Sequence, residues 1–425
     1  MTSSHHSRPI PAALERRMPD VRELASLVRF AKPSTDRVGR RLEKATSVWE
    51  LREIAKRRTP KAPFDYVDGA AEAEISLRRS RLSYRNVEFV PHVLHDVSDA
   101  DTSTEIFGRR VAMPLGIAPT GFTRMMHSEG EYAGSAAAAD ADIPFCLSTM
   151  GTASIEDVAT HAPDGDNWFQ LYLWNDREAS AALVERAWQA GFRTLVVTVD
   201  TAIAGARLRD TRNGFSIPPQ LTARTVLDAA AHPHWWFDFL THEPLSFASL
   251  SRSSGTVADL VNRMFDPSLD HDDIAWLAQL WPGRLVVKGV QSVPDAARIA
   301  EGGVDGIILS NHGGRQLDRA PIPLHLLPEV RAELGDAFSI GIDTGIMDGA
   351  DVVAAVALGA DYALVGRAYM YGLMAGGQRG VTRMLDLMHT SMRRTMRLVG
   401  VNAIDDLTPE HVNLMTPQPA RGHWV

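Results

Sequence analysis

The sequence has a single cysteine, no excess of basic residues and few aromatic side chains, which make up 7% of its 425 residues. Cys146 lies in the apolar stretch IPFCLST, which indicates a structural thiol rather than a nucleophile or ligand. One cysteine also excludes a disulfide within the chain, which suits a reducing cytoplasm. The formal net charge of −8 argues against general binding to nucleic acids, because such binding requires a basic surface.

No apolar run is long and continuous enough to predict a membrane-spanning helix. The most apolar region, VVAAVALGADYALVGRAYMYGLMAGG, is interrupted by Asp361 and Arg367 and contains glycines that indicate element boundaries. The first residues, MTSSHHSRPIPAALERR, have no apolar core of the length found in signal peptides. We therefore expect no export and a cytoplasmic location.

From about residue 110 onward, eight short apolar runs predict β-strands: PLGIAPT, PFCLST, WFQLYL, TLVVTVD, LVVKGV, GIILSN, SIGIDT and YALVGRA. Ala-rich segments separate most of them. In one, Ser128 and Glu131 predict a capping box, and another is predicted to end at Gly191. Apolar strands that alternate with helices imply a parallel sheet buried on both faces. Because AGFRTLVVTVD, GGVDGIILSN and LGADYALVGR repeat one helix-to-strand pattern, we predict an α/β fold, a (β/α)8 TIM barrel, rather than an open doubly wound sheet.

Two segments fall outside the eight units. Residues 1–45 are interpreted as a basic N-terminal extension, and 46–425 as the barrel domain with a long insertion at about 208–270, after strand 4. The insertion contains HPHWWFDFL, and its clustered aromatic residues over 232–240 have two interpretations. They form either a small satellite core under the loop or a patch that contacts a membrane surface or another subunit.

Polar residues collect at the carboxyl ends of the predicted strands, which in a barrel converge on one mouth, where catalytic groups of this fold lie. These residues are Thr120, Ser148, Gln170, Tyr172, Thr198, Asp200, Lys288, His312, Asp343 and Arg367. Glycines beside Asp343 and Arg367 lead into helices and indicate a phosphate site, although they could also serve tight turns. Lys288 needs a partner of negative character, which a reduced flavin would supply. Because no Gly-x-Gly-x-x-Gly follows a strand, FMN is favoured over NAD.

The stretch SNHGGRQLD places His312 close to Arg315, and Asp200 ends another predicted strand. An imidazole beside a carboxylate is held in one tautomer and suits a general base. Arg207 and Arg315 offer bidentate partners for a substrate carboxylate. A base, two arginines and a flavin together suit the oxidation of a small 2-hydroxy acid.

SNHGGRQLD resembles the active-site signature of the FMN-dependent α-hydroxy-acid dehydrogenase and oxidase family. The chain also contains, in the family's order, FDYVDG, APTGF, LST, WFQLY, TVD, GAR, VVKG and VGRAY. The sequence is most similar to the bacterial respiratory, quinone-type L-lactate dehydrogenase branch. The resemblance implies that His312 takes a proton, Asp200 stabilises the protonated form, and Arg207 and Arg315 hold the carboxylate. It implies substrate hydrogen bonds from Tyr66 and Tyr172. It also implies which residues contact each part of FMN. The ring would contact Thr120, Ser148, Gln170, Thr198 and Lys288, the ribityl chain Asp343, and the phosphate Gly345, Gly366 and Arg367.

One stretch departs from the family pattern. Where the family has Asp-Gly-Gly-x-Arg, this chain reads DTGIM, so Thr344 replaces a glycine and Met347 replaces the arginine that faces the phosphate. We hypothesise weaker retention of FMN, compensated by Arg367 or by a residue elsewhere in the chain.

The sequence alone does not decide the electron acceptor or the exact substrate. The aromatic segment and the basic extension favour a membrane quinone and a peripheral position on the inner face of the cell membrane. The alternative is an oxidase that uses O2 and produces H2O2, since Gly121 lies where oxygen access to the flavin is decided. A non-catalytic flavin- or phosphate-binding barrel is an alternative from a different class. A third possibility is an FMN barrel that acts on isoprenoid diphosphates. L-lactate is the expected substrate, with Met150 and Ala204 shaping its pocket, and family analogy implies a homotetramer.

Overall fold

The computed structural model describes residues 18, 20, 35–214, 223–243, 245, 248–250 and 266–415. The chain divides into two units, 1–40 and 41–425. Most of the predicted basic extension and much of the insertion at 208–270 lie outside the described residues. No helix in the described part of the chain is long and apolar enough to cross a bilayer.

The described strands are β1 (Val87–Phe89), β2 (Thr104–Ile106), β3 (Arg109–Val111), β4 (Leu115–Ile117), β5 (Phe145–Ser148), β6 (Asn167–Leu171), β7 (Thr194–Thr198), β8 (Arg284–Val290), β9 (Gly306–Leu309), β10 (Ser339–Ile342), β11 (Tyr362–Val365) and β12 (Val412–Leu414). β4 to β11 form a closed, parallel barrel in the order β10-β11-β4-β5-β6-β7-β8-β9. Each of the eight apolar runs overlaps one barrel strand, so the predicted (β/α)8 barrel is confirmed.

The described helices are α1 (Arg37–Glu43), α2 (Val48–Arg58), α3 (Lys61–Asp68), α4 (Ile75–Arg85), α5 (Gly130–Asp140), α6 (Ile155–His161), α7 (Arg177–Gln189), α8 (Leu208–Arg212), α9 (Ala223–Ala230), α10 (Pro233–Thr241), α11 (His271–Leu280), α12 (Val293–Ala300), α13 (Pro323–Leu334), α14 (Gly349–Ala357) and α15 (Arg367–Val399). Helix α7 ends just before Gly191, as predicted, and that glycine has a φ of +94°. Glycine adopts this left-handed conformation at little cost, which stops the helix there.

The predicted capping box at Ser128 and Glu131 is wrong. Helix α5 begins at Gly130, and the Ser128 hydroxyl donates to the Asp238 carboxylate at 2.7 Å. Glu131 is buried and accepts hydrogen bonds from the backbone N–H and the hydroxyl of Thr152, at 2.7 and 2.6 Å. Both side chains therefore bind distant groups, Asp238 on α10 and Thr152 in the loop after β5, instead of the first turn of their own helix.

The hairpin β2–β3 closes the amino-terminal end of the barrel. Phe107, at its turn, packs against Trp168 and Tyr362, with ring centroids 5.8 and 5.9 Å apart. These rings join a core cluster that also contains Cys146. Burial raises the pKa of the Cys146 thiol. Cys146 is therefore a packing residue, and the carboxyl ends of the strands are the open end of the barrel.

Helix α10 carries the aromatic residues of the insertion, and its two faces differ. Trp235 stacks on Phe239 at 4.9 Å between ring centroids, and its indole N–H donates to the Met125 carbonyl at 2.9 Å. The opposite face is exposed, since Phe237 and Leu240 keep 62% and 69% of their surface accessible. The helix thus combines a small packed cluster with an apolar surface.

A buried carboxylate ties helices α3, α2 and α15 to the loop after β7. Asp68 accepts from Arg52 at 2.7 and 3.0 Å, from the Tyr371 hydroxyl at 2.6 Å and from Arg209 at 3.0 Å. Burial would raise the pKa of Asp68, but the bonds from Arg52 and Tyr371 outweigh it and hold the pKa well below its ordinary value. The ionised form is therefore part of the fold.

We expect Asp68→Asn to lower the free energy of unfolding by about 3 kcal/mol, because it leaves two guanidinium groups without their shared carboxylate. Urea titration at neutral pH measures the change. Asp142→Asn is the matched control, since Asp142 pairs with Arg109 at 3.2 Å on the surface and such pairs contribute at most about 1 kcal/mol. Equal losses in the two variants would contradict a special role for Asp68.

Candidate active site

A cavity of about 430 Å³ opens at the carboxyl ends of the barrel strands. Twelve of the predicted site residues line it: Tyr66, Thr120, Ser148, Tyr172, Arg207, Lys288, His312, Arg315, Asp343, Gly345, Gly366 and Arg367. The other three, Gln170, Thr198 and Asp200, are buried at the ends of β6 and β7 or just beyond. Asp200 contacts His312 and Gln170 contacts Ser148, and both of these partners line the cavity.

The centre of the cavity is an imidazole held by a carboxylate. His312 follows β9, and its Nδ1 lies 3.1 Å from Oδ1 of Asp200, which follows β7. Burial lowers the pKa of His312 below its ordinary value, although the Asp200 carboxylate acts in the opposite direction. The imidazole is therefore neutral at neutral pH, with Nε2 left to accept a proton.

The backbone around His312 is held in a left-handed conformation. His312, Gly313 and Gly314 have φ values of +57°, +64° and +74°. A non-glycine residue in this region is strained, and such strain is retained where the surrounding structure fixes it. The His312 N–H donates to the Ser310 hydroxyl at 3.0 Å, and the Gly314 N–H donates to Asn311 at 2.9 Å, so the turn is fixed on both sides.

Two arginines face the same cavity without a carboxylate partner in the described part of the chain. The guanidinium carbons of Arg315 and Arg207 lie 4.7 and 5.8 Å from the centre of the Tyr66 ring. Burial lowers the pKa of Arg315, and the positive charge of Arg207 lowers it further. Two cations so close together favour an anionic ligand between them.

The loop that carries Arg207 approaches the loop that carries Arg315 very closely. A Cβ atom at Gly205 would lie 2.2 Å from the Arg315 carbonyl oxygen, so only glycine fits there. Gln316 bridges the same loops, donating to the carbonyls of Asp200 and Ile203 at 3.2 and 2.9 Å. The two guanidinium groups are thus positioned by one braced pair of loops.

Lys288 has a negative partner within the chain, which the sequence did not reveal. Its Nζ lies 3.0 Å from Oδ2 of Asp343 and donates to the Ser310 hydroxyl at 2.9 Å. Burial would lower the pKa of Lys288, but Asp343 and Asp200 outweigh it and raise the pKa above its ordinary value. The lysine is therefore a fixed positive charge in the cavity wall.

The residues present fit a flavin ring. The Ser148 hydroxyl donates to Oε1 of Gln170 at 3.1 Å, which leaves the Gln170 amide nitrogen without a hydrogen-bond partner among the described residues. The buried Thr198 hydroxyl has none there either. Buried polar atoms without partners are costly, and a ring system rich in nitrogen and oxygen would satisfy them.

The predicted phosphate end has an unusual turn after β10. Thr344 has a φ of +77°, a conformation that disfavours a β-branched residue. Its hydroxyl donates to Asp343 at 2.7 Å and accepts from the Gly313 N–H at 3.2 Å. These two bonds hold the threonine where the family pattern has glycine, and Met347 lines the cavity nearby.

Three charged or amide side chains that were not predicted from the sequence also line this cavity: Arg81, Asp210 and Gln316. Burial raises the pKa of Asp210, although Arg315 and Arg207 oppose the effect. Gln316 stands in SNHGGRQLD, and that motif was the signal that could have revealed it. Arg81 precedes the barrel, so no strand end indicated it.

The model of the FMN-dependent dehydrogenase family matches residues 55–414. The chain belongs to this family. It is 58% identical over 400 residues to a provisionally named L-lactate dehydrogenase of Mycobacterium tuberculosis, covering 94% of this chain and 97% of that protein. It is 41% identical to (S)-mandelate dehydrogenase of Pseudomonas putida, over 86% of this chain and 93% of the relative.

A solved structure supports the same assignment. The crystal structure of the monotopic membrane protein (S)-mandelate dehydrogenase superposes with a TM-score of 0.84 at 40% identity. The match covers 87% of this chain and all of the other. The cofactor of the family is FMN, and the donors at the cavity wall agree with it.

Proposed function

We propose that this protein oxidises L-lactate, or a closely related small L-2-hydroxy acid, to the 2-oxo acid and passes the electrons to a membrane quinone. The observation that carries the proposal is the His312 imidazole, held by Asp200 at 3.1 Å, in one cavity with two guanidinium groups. Several relatives named L-lactate dehydrogenase, including one of Pectobacterium atrosepticum at 39% identity, support it.

The substrate carboxylate would bind between Arg207 and Arg315. Both guanidinium groups line the cavity beside Tyr66, and no described carboxylate forms an ion pair with either. The charge-assisted hydrogen bonds of an arginine pair would fix the substrate's orientation as well as its affinity. Tyr66 and Tyr172 would donate hydrogen bonds to the same ligand.

His312 would act as the general base. Its Nε2 would take the proton from the substrate, and the buried Asp200 carboxylate would stabilise the imidazolium that forms. FMN, when bound, supplies the acceptor for the two electrons that leave the substrate. Thr120, Ser148, Gln170, Thr198 and Lys288 would hold its ring, Asp343 its ribityl chain, and Gly345, Gly366 and Arg367 its phosphate.

Met150 and Ala204 would shape the pocket for the substrate side chain. Both residues line the cavity. A Cβ atom at Gly121 would lie 2.7 Å from the Met150 Cβ, so Gly121 and Met150 leave no spare space between them. The (S)-mandelate dehydrogenase relative makes (S)-mandelate the appropriate larger comparison substrate.

We propose that the protein is peripheral on the inner face of the membrane, and that the exposed side of α10 contacts it. The exposed apolar residues Leu227, Trp236, Phe237 and Leu240 form the apolar patch on α9 and α10, which pack on each other. Apolar patches of this kind are typical of membrane or protein contacts. The structural neighbour described as a monotopic membrane protein supports this position.

Two alternatives make different predictions. An oxidase of the same family would pass its electrons to O2. A non-catalytic barrel would lack at least one group of the active constellation, yet His312, Asp200, Arg315, Arg207 and Lys288 are all present and close together. This constellation favours an enzyme.

The proposed function makes a first prediction about the reaction itself. We expect L-lactate to bleach the visible absorbance of the purified holoprotein under anaerobic conditions, and D-lactate to leave it unchanged. A soluble quinone should then restore the colour much faster than air does. Fast recovery of the colour in air would indicate an oxidase. Bleaching by (S)-mandelate but not by L-lactate would show that (S)-mandelate, and not lactate, is the substrate.

The second prediction concerns pH. Because only the neutral imidazole accepts a proton and burial lowers the pKa of His312, the rate of bleaching by L-lactate should fall on the acid side, with a midpoint below about 6.5. Asp200→Asn should move that midpoint to lower pH, since the carboxylate raises the pKa of His312. Stopped-flow measurements from pH 4.5 to 8 test both statements, and an unmoved midpoint in the variant would refute the assignment of the acid limb to His312.

The third prediction concerns the membrane. The double variant Phe237→Ser, Leu240→Ser should lower co-sedimentation with anionic phosphatidylglycerol vesicles about tenfold or more, because each buried apolar side chain contributes about 1.5–3 kcal/mol. Leu398→Ser is the control, since Leu398 is 71% exposed on α15, away from the apolar patch. Equal co-sedimentation of all three proteins would contradict contact through α10.

A further inference from the structure

The phosphate end of the cavity lacks the arginine that the family pattern places after β10. Met347 stands at that position, is 4% exposed and lines the cavity. A thioether cannot neutralise a phosphate dianion, and a buried dianion needs cations or several donors. The charge must therefore be supplied from elsewhere in the chain.

Arg367 meets only part of this requirement. Its Nε, Nη1 and Nη2 donate to the carbonyls of Val67, Gly313 and Gly69, at 2.9, 2.8 and 2.7 Å. Three of its five N–H groups are thus committed to backbone. Burial lowers its pKa to about 9, and the next largest contribution is the positive charge of Arg81. Arg81 is therefore close enough to Arg367 for the two charges to interact.

The position of Arg81 follows from the packing of helix α4 over the turn after β10. A Cβ atom at Gly345 would lie 2.7 Å from the Ser80 carbonyl oxygen, so this helix directly covers that turn. Leu77 and Arg81 are four residues apart and both line the cavity, which places them on one face of the helix. Arg81 thus reaches the cavity beside the position where Met347 replaces arginine.

The side chain of Arg81 is held in place by an aromatic ring and a hydroxyl group. Its guanidinium carbon lies 4.9 Å from the centre of the Trp49 ring, and Nη2 donates to the Tyr371 hydroxyl at 3.2 Å. No carboxylate in the described part of the chain forms an ion pair with it. The same tyrosine donates to Asp68 at 2.6 Å, so the guanidinium is oriented through a hydroxyl rather than by direct pairing.

We propose that Arg81, on helix α4, is the second cation of the FMN phosphate site and replaces the arginine that the family pattern has at position 347. The inference rests on FMN as the cofactor of the family and is independent of which hydroxy acid or acceptor the enzyme uses. It identifies the residue elsewhere in the chain that compensates for Met347.

The test compares FMN with riboflavin, which has the same ring and ribityl chain but no phosphate. Apoprotein is prepared from the holoenzyme, and both ligands are titrated by quenching of flavin fluorescence. Arg81→Gln should reduce the ratio of FMN affinity to riboflavin affinity about ten- to a hundredfold, the range for a charge-assisted hydrogen bond. Riboflavin affinity should change little.

Two further variants separate the phosphate contact from a general loss of structure. Arg79→Gln, an exposed change on the same helix, should keep the wild-type ratio. Arg81→Lys keeps the charge without the planar fork and should reduce the ratio less, about three- to tenfold. It also covers the case in which Arg81→Gln does not fold.

Restoring the family pattern provides the complementary test. In the double variant Arg81→Gln, Met347→Arg, recovery of the FMN-to-riboflavin ratio would place the lost binding energy at the phosphate. A wild-type ratio in Arg81→Gln would overturn the proposal. Equal losses of FMN and riboflavin affinity would overturn it too, because they would show that Arg81 acts only through Tyr371 and the fold.

Discussion

The structure depends on placing several positive charges in one partly closed cavity at the mouth of the barrel. Lys288, Arg207, Arg315 and Arg367 all line it, and Arg81 adds a further charge from outside the barrel. Uncompensated burial of cations is unfavourable, and two of these guanidinium groups have pKa values lowered by burial. The cavity is therefore built for ligands that carry negative charge, which both FMN phosphate and a 2-hydroxy carboxylate do.

Two buried carboxylates keep these charges ordered. Asp343 pairs with Lys288 and accepts from the Thr344 hydroxyl, whereas Asp200 holds His312. Thr344 in turn accepts from the Gly313 N–H, which connects the turn after β10 to the turn that carries the base. The turns after β9 and β10 are thus joined by hydrogen bonds, and the strained backbone at both turns is retained because those bonds fix it.

The segment before the barrel has a functional position as well as a structural one. Helices α3 and α4 contribute Tyr66 and Arg81 to the cavity lining, and the Asp68 network anchors α3 to α15. The barrel strands alone would leave both ends of the ligand cavity incomplete. Under the proposal for Arg81, variation in this segment would change cofactor retention without changing the barrel.

The sequence by itself determined the eight strands, their parallel order and the residues at their carboxyl ends. The spacing of apolar residues and the polar residues that end each strand are local properties of the chain. It did not reveal that Lys288 pairs with Asp343, that Glu131 binds Thr152 rather than its own helix, or that Arg81 reaches the cavity. Those partners lie 21 or more residues apart, or on elements outside the repeating units. Only closure of the barrel and packing of α4 across the turn after β10 bring them within contact distance.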